Sequence, residues 1–127
     1  MSYFPFFREI EGEKCLVIGG GKVAARKISR LKGFGVKIKV VAPSIVSDIE
    51  AVVQACDNIS VERRIFTPQD IENADFVIAA AGEEVDKGAA RLCKEKGIPV
   101  NVVDNQELCD FISVSYTHLR AHETPEH

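Results

Sequence analysis

The sequence of 127 residues is short of several features that mark particular protein classes. It has no tryptophan and one methionine, and its 16 basic against 19 acidic residues give a net charge of −3 without a block of like charge. A generic polyanion-binding surface lacks an electrostatic basis, so we expect no nucleic-acid partner. Apolar runs such as Phe76 to Ala81 are far shorter than the about 20 residues of a membrane helix. Residues 1–5 lack a basic start and an apolar run, so we expect a cytoplasmic location.

The four cysteines show no metal-ligand spacing. Cys15, Cys56, Cys93 and Cys109 form no Cys-x-x-Cys pair, and none is next to a histidine. No metal site is expected. Three of the four lie in or beside apolar strand or helix patterns, which favours four reduced thiols and leaves an extracellular disulfide pair as the alternative.

Apolar periodicity predicts alternating strands and helices. Lys14–Ile18 and Lys37–Val41 are short apolar runs, and Ala24, Ile28 and Leu31 between them follow helical spacing up to Gly33 and Gly35. Strand, helix and strand in this order form a right-handed βαβ unit with parallel strands. The same patterns then predict a helix over 45–56, a strand over 59–63, a helical turn at 67–71, a strand over 76–80, a helix over 85–93 stopped by Gly97, and a strand over 99–103.

These elements predict a Rossmann-like α/β fold, with a doubly wound parallel sheet of about five strands and helices on both faces. Residues 108–111 could start a sixth element. We expect one domain over 1–114 and a tail at 115–127 that does not belong to it. That tail holds all three histidines, has no periodic apolar face, and resembles translated sequencing adapters, so we expect it not to be native and not to bind metal.

The first strand is followed by a glycine-rich turn. Gly19-Gly20-Gly21-Lys22-Val23-Ala24 matches G-x-G-x-x-A at a strand-to-helix junction. Gly19 permits a tight turn, Gly21 lets a diphosphate approach the backbone, and Ala24 lets the helix pack closely on the sheet. The helix N-terminus offers unpaired N–H groups to phosphates. The motif in this setting predicts dinucleotide binding, although a turn without a ligand would use the same residues.

The acid that usually binds the ribose about twenty residues later is missing. The second strand ends in Val41-Ala42-Pro43-Ser44, and no arginine suited to a 2′-phosphate stands there either. The choice between NAD and NADP therefore stays open on residues alone, with Ser44 and the backbone near Pro43 as the local polar groups.

Several segments together resemble one enzyme family. They are Tyr3-Phe4-Pro5, the run from Val17 to Lys27, Ala79-Ala80, and Asn101-Val102-Val103-Asp104 followed by Cys109-Asp110-Phe111-Ile112. In this order and spacing, the chain from Tyr3 to Phe111 resembles the NAD-binding amino-terminal domain of the precorrin-2 dehydrogenase family, found in siroheme synthase. The resemblance implies NAD as cofactor, oxidation of the tetrapyrrole precorrin-2 to sirohydrochlorin, ferrochelatase activity in some members, and a homodimer at full length.

The resemblance also assigns site residues. It implies that Asp104 is catalytic, and that the cofactor is held by Gly19, Gly21, Lys22, Val23, Ala24, Pro43, Ser44, Ala80 and Ala81. Asp104 follows a predicted strand at its carboxyl end, where open parallel sheets bind ligands, and its carboxylate could accept a proton. The loop Ala81-Gly82-Glu83-Glu84 and Asp86 depart from the family pattern of a threonine, acids and an asparagine. The family's dimerisation and helical regions are also missing, so the chain alone could bind NAD yet be catalytically incomplete.

Two other classes of function remain as alternatives. A regulatory NAD(H)-sensing Rossmann domain would share the glycine turn, but such sensors usually carry the ribose-binding acid. A ligand-free interaction module would use the glycines only for the turn. The exposed-face pattern of Lys22, Arg26 and Arg30 is typical of a solvated helix face, although a substrate with many carboxylates would benefit from it.

Overall fold

The computed structural model describes residues 7–111 and contains one parallel sheet. The five strands run in the spatial order β3-β2-β1-β4-β5. All four strand pairings are parallel, and Leu16 lies between Lys39 and Val77 of its two neighbours. The predicted Rossmann-like fold class is confirmed. The strands are β1 (Lys14–Ile18), β2 (Lys37–Val41), β3 (Ile59–Glu62), β4 (Phe76–Ala79) and β5 (Val100–Val102).

Helices cover both faces of this sheet, as predicted. The helices are α1 (Lys22–Leu31), α2 (Ser47–Ala55) and α3 (Glu83–Lys96). Side chains of a strand alternate between the faces, so Val17 packs with Ile28 and Ile49 of α1 and α2. Leu16 points the other way and packs with Ala89 and Cys93 of α3. The two resulting apolar cores fix the sheet between the helix layers.

Several element boundaries differ from the sequence predictions. The second helix begins at Ser47, not at Ile45, because the Val46 N–H donates to the Gly20 carbonyl at 2.8 Å. Both apolar residues before Ser47 therefore belong to a loop that is fixed on the glycine turn. β3 and β4 each end one residue before the predicted end, and β5 is one residue shorter than predicted at each end.

The expected sixth element is absent from the described part of the chain. Residues Gln106–Leu108 form a single 3-10 turn, and residues 109–111 follow it without regular structure. Hydrogen bonds from this segment to β5 take the place of a further strand, as described below. The predicted tail at 115–127 and its histidines lie outside the described residues.

All four cysteines are free, which agrees with the predicted reduced thiols. Cys15 and Cys93 are buried, and burial raises the pKa of Cys93 to about 11. Cys56 and Cys109 are partly buried. Within residues 7–111, no helix is both long and apolar enough to cross a membrane.

Chain direction and strand order create a crevice at one edge of the sheet. The chain moves outward from β1 to β3 and then crosses to β4 on the other side of β1. The loops after β1 and β4 therefore diverge onto opposite faces, which leaves a gap at the carboxyl ends of these strands. Open α/β sheets bind ligands at such a switch point.

The crossing between β3 and β4 contains a short capped turn. Pro68–Ile71 forms a 3-10 helix, and Thr67 and Asp70 form a reciprocal capping box. The Asp70 carboxylate accepts the Thr67 N–H at 2.8 Å and binds the Arg64 guanidinium in a two-pronged pair. The hydrogen bonds from Arg64, followed by those from Thr67, lower the pKa of Asp70 to about 2 against the opposing effect of burial.

This depressed pKa predicts an acid-sensitive stability. A carboxyl group with a lowered folded-state pKa stabilises the fold above its unfolded pKa near 4 and loses that contribution as the pH falls toward 2. We expect Asp70 to contribute about 1–2 kcal/mol that disappears between pH 5 and pH 2, because the partly exposed Arg64 weakens the pair. Urea unfolding of the parent and Asp70→Asn at both pH values measures this loss, with Glu107→Gln as control. An unchanged pH dependence in Asp70→Asn would contradict the assignment.

Candidate nucleotide-binding and catalytic site

The glycine turn after β1 is held tightly on the β4 side. Gly19 has a φ of +127°, and a Cβ on it would lie 2.2 Å from the Ala80 carbonyl oxygen. The Gly19 N–H donates to the Val41 carbonyl at 3.0 Å, and the Ala80 N–H donates to the Ile18 carbonyl at 2.7 Å. The predicted role of Gly19 in a tight turn therefore has two physical causes, the backbone angle and the close approach of the β4 loop.

Gly20 is a second required glycine, which the motif treats as variable. A Cβ on Gly20 would lie 2.1 Å from the Ser44 carbonyl oxygen and 2.9 Å from the Ile45 side chain. The loop after β2 rests on the turn at this point. The sequence signal was the middle glycine of the run, but the motif gives that position no assigned role.

Gly21 differs from both, because nothing lies within 4 Å of where its Cβ would stand. Its φ of −90° is open to any residue, so neither strain nor packing within the described chain requires glycine. No side chain among residues 7–111 caps α1, and the first helical bond runs from the Ala25 N–H to the Gly21 carbonyl. The N–H groups that precede it have no partner of the helical type. The geometry fits the close approach of a ligand phosphate.

The other predicted residues of α1 divide between surface and core. Lys22 is exposed, Val23 is 39% exposed, and Ala24 is fully buried against the sheet. The predicted packing role of Ala24 agrees with this burial. Arg26 and Arg30 are also exposed, and no ion pair among residues 7–111 includes them or Lys22.

The loop after β2 brings Pro43 and Ser44 to the surface beside the glycine turn. Next to it, the Ala42 N–H donates to the Glu62 carbonyl at the end of β3. The two arginines that follow Glu62 are both bound to acids, Arg63 to Glu50 at 2.8 Å and Arg64 to Asp70. A 2′-phosphate at this edge would meet cations that are already in ion pairs.

The loop after β4 is closed by a buried carboxylate. The Ala81 N–H donates to Asp86 Oδ1 at 2.9 Å, and the Gly82 N–H donates to Oδ2 at 3.3 Å. The N–H groups of Ala80 and Ala81, two predicted cofactor residues, are therefore already bonded within the protein. Asp86 is only 3% exposed. Burial raises the pKa of Asp86, the two N–H donors oppose the rise, and the charge of Asp104 adds to it.

Asp86 was not predicted as a site residue, although it lines the same cavity as Asp104. This cavity has a volume of about 210 Å³ and lies between the N-terminal turn of α3 and the loop after β5. Lys87 also faces it but pairs with Glu83 at 2.9 Å. The cavity is lined by Glu83, Asp86, Lys87, Val102, Asp104, Asn105 and Leu108.

Asp104 stands where the sequence predicted, exposed in the turn directly after β5. The glycine turn follows β1, and the strand order places only β4 between β1 and β5. All three strands are parallel, so the glycine turn, the Ala80 loop and Asp104 share the carboxyl edge of the sheet.

A larger cavity of about 820 Å³ lies elsewhere and contains none of the predicted site residues. Its walls include Lys14, Lys37 and Asn58, which stand at or just before the amino ends of strands. It extends over strands β1 to β3 on the same face of the sheet as α3, in the part of that face that α3 leaves uncovered. Within residues 7–111, no group of three or more histidine, cysteine or acidic side chains is arranged to hold a metal ion.

Comparison with known proteins assigns the chain to a family. The family model described as "Putative NAD(P)-binding" matches residues 6–115. The chain belongs to this family. The predicted nicotinamide cofactor is confirmed at the level of the family.

The chain is also similar to siroheme synthases. It is 41% identical over 116 residues to that of Nitrosomonas eutropha and 40% identical over 116 residues to that of Thioalkalivibrio sulfidiphilus, matching 91% of this chain in both cases. It spans only 24% of the length of these two relatives. Among solved structures, SirC, a precorrin-2 dehydrogenase, has a TM-score of 0.71 at 18% identity, covering 98% of this chain and 71% of SirC. At that identity the likeness shows the fold.

The contrast between two adjacent glycines predicts very unequal effects on stability. We expect Gly20→Ala to lower the free energy of unfolding by about 2 kcal/mol or more, because the added methyl group overlaps the Ser44 carbonyl and the loop must shift. Gly21→Ala, in open space at an ordinary φ, is expected to change it by less than about 0.5 kcal/mol. Urea unfolding of the two variants tests whether the loop after β2 packs directly on Gly20. Equal losses would show that the loop after β2 does not rest on Gly20.

Proposed function

We propose that the chain is the NAD-binding part of a precorrin-2 dehydrogenase, which oxidises precorrin-2 to sirohydrochlorin in siroheme biosynthesis. The observation that carries the proposal is the shared edge. An open glycine turn after β1 and an exposed carboxylate after β5 lie at the same carboxyl edge of the sheet, with only β4 between the two strands. The names of the siroheme synthase relatives and of SirC support this choice of substrate.

In this proposal the cofactor diphosphate lies over Gly21 and the first turn of α1. The free N–H groups of Lys22 and Val23 donate to phosphate oxygens, and the helix dipole favours the negative charge. Pro43 and Ser44 border the adenosine half. The loop at Ala80 and Ala81 borders the nicotinamide half through its backbone and leaves its N–H groups with Ile18 and Asp86.

Asp104 is proposed as the base of the reaction. Dehydrogenation removes one hydride and one proton from the macrocycle, and NAD supplies the hydride acceptor. The carboxylate of Asp104 is exposed at the carboxyl edge of the sheet, and in this proposal it accepts the proton. Lys87 does not neutralise it locally, because that ammonium is paired with Glu83.

The substrate carries several carboxylates, and the basic side chains of α1, which form no ion pair within residues 7–111, suit such a ligand. Lys22, Arg26 and Arg30 are exposed and offer charge-assisted hydrogen bonds. We further propose a domain over residues 1–114, a cytoplasmic location, homodimerisation at full length, and ferrochelatase activity in the full-length protein. The family match over residues 6–115 supports the extent of the domain, and the other points rest on the sequence analysis alone.

The placement of the diphosphate predicts a selective loss of cofactor binding. Gly21→Val fills the open space beside the helix N-terminus, so we expect its Kd for NAD to rise at least about 10-fold. Titration calorimetry on the chain measures this, with Gly33→Ala as a control glycine in open space away from the turn. Parent-like binding by a folded Gly21→Val protein would place the diphosphate elsewhere.

The role of Asp104 predicts a loss of turnover without loss of cofactor. Turnover is measured in a chimera in which the chain replaces the matching segment of the Nitrosomonas eutropha siroheme synthase. Asp104→Asn keeps the size of the side chain but removes its charge, so we expect sirohydrochlorin formation to fall about 10²-fold or more at unchanged NAD affinity. Glu107→Gln, a nearby exposed acid, is the control. Equal turnover by Asp104→Asn and the parent would remove Asp104 from the mechanism.

A further inference from the structure

The chain after the Asp104 turn closes the open edge of β5 with side chains. In β5, alternate N–H groups face β4, and the others face outward. The outward Val100 N–H donates to Asp110 Oδ2 at 3.2 Å, and the Asp110 N–H donates to the Val100 carbonyl at 2.7 Å. Asn101 Nδ2 donates to the Phe111 carbonyl at 3.0 Å. Residues 110 and 111 are thus fixed to the start of β5.

Cys109 makes the corresponding contact at the end of β5. The outward Val102 N–H donates to Cys109 Sγ at 3.1 Å. The thiol lies 3.2 Å from the Val102 carbonyl oxygen and 3.4 Å from that of Asn105, and its single proton can bond one of them at a time. Val102 is only 4% exposed, so the thiol satisfies an N–H that water reaches poorly.

These contacts enclose the turn that carries Asp104. The Asn105 N–H donates to the Val102 carbonyl at 3.2 Å, so Asp104 is the third residue of a four-residue turn. Both ends of that turn, Val102 and Asn105, touch the same sulfur atom. On its other side, the Val103 N–H donates to the Ala79 carbonyl at 3.1 Å.

We propose that Cys109 is a positioning residue that fixes the Asp104 turn at the edge of the crevice. The inference rests on the proposed function of Asp104. An acid on an unsupported turn would sample several positions, and a displacement of about 1 Å can cost about 10²-fold in rate. The sulfur suits this place because its longer bond reaches both ends of the turn, whereas alanine would leave the Val102 N–H without a partner.

Hydrogen exchange on the chain alone tests the geometry. We expect Cys109→Ala to speed exchange of the Val102 and Asn105 N–H groups at least 10-fold, because their turn opens more often, while the Val40 N–H in β2 stays unchanged. Cys15→Ala, at a buried cysteine whose side chain packs on the other face of the sheet, is the control for a general loss of stability. Unchanged exchange at Val102 and Asn105 in Cys109→Ala would overturn the proposal, independently of whether Asp104 is catalytic.

A double-mutant cycle in the chimera tests the link to catalysis. Cys109→Ala is expected to lower kcat about 10-fold when Asp104 is present and less than 2-fold in the Asp104→Asn background, with NAD affinity unchanged in both. Cys109→Ser, whose hydroxyl can still accept and donate, should recover part of the loss. Equal loss in both backgrounds would overturn the positioning role, whereas a parent chimera without turnover would contradict the proposed function and leave the exchange result as the test of this inference.

Discussion

The site depends on the clamp around the glycine turn after β1. Three strands meet there through backbone bonds, from Gly19 to β2, from Ala80 to β1, and from Val46 to Gly20. Neither Gly19 nor Gly20 has room for a Cβ, because carbonyl oxygens of the neighbouring loops lie within 2.2 Å of it. Of the three glycines in the turn, only Gly21 has no described atom within 4 Å of the place of a Cβ. Two glycines thus fix the turn between its neighbours, which leaves the third free to face a ligand.

The opposite border of the crevice is stabilised by different means. β5 is a three-residue edge strand, and its outward N–H groups bond to Asp110 and Cys109 instead of a further strand. An edge left open would expose unpaired backbone groups to other chains. Closing it with side chains satisfies those groups and holds the chain on both sides of Asp104. The same bonds therefore protect the sheet edge and shape the turn.

Local patterns were sufficient to predict the fold, because each strand is a short apolar or alternating run and each helix has an apolar stripe that the sheet covers. The bounds of β1 and β2 agree residue by residue with their apolar runs. The sequence could not reveal contacts between distant segments. Position 20 requires glycine because the loop at Ser44 lies against it. Asp86 is buried because two N–H groups of the preceding loop donate hydrogen bonds to its carboxylate. Residues 108–111 suggested the start of a sixth element, but the outward N–H groups of β5 bond to the side chains of Asp110 and Cys109, which periodicity cannot predict.

The charges at the helix N-termini explain why an anionic ligand would bind at α1 and not at α2 or α3. The first turn of α2 carries Asp48 and Glu50, and the N-terminal end of α3 carries Glu83, Glu84 and Asp86. Acids at these positions compensate the partial positive charge of their own helix, and Asp86 also occupies the backbone donors in front of α3. α1 has no acid in its first turn and begins with Lys22. Its N-terminus therefore keeps both its donors and its positive potential, next to the one glycine of the turn that stands in open space.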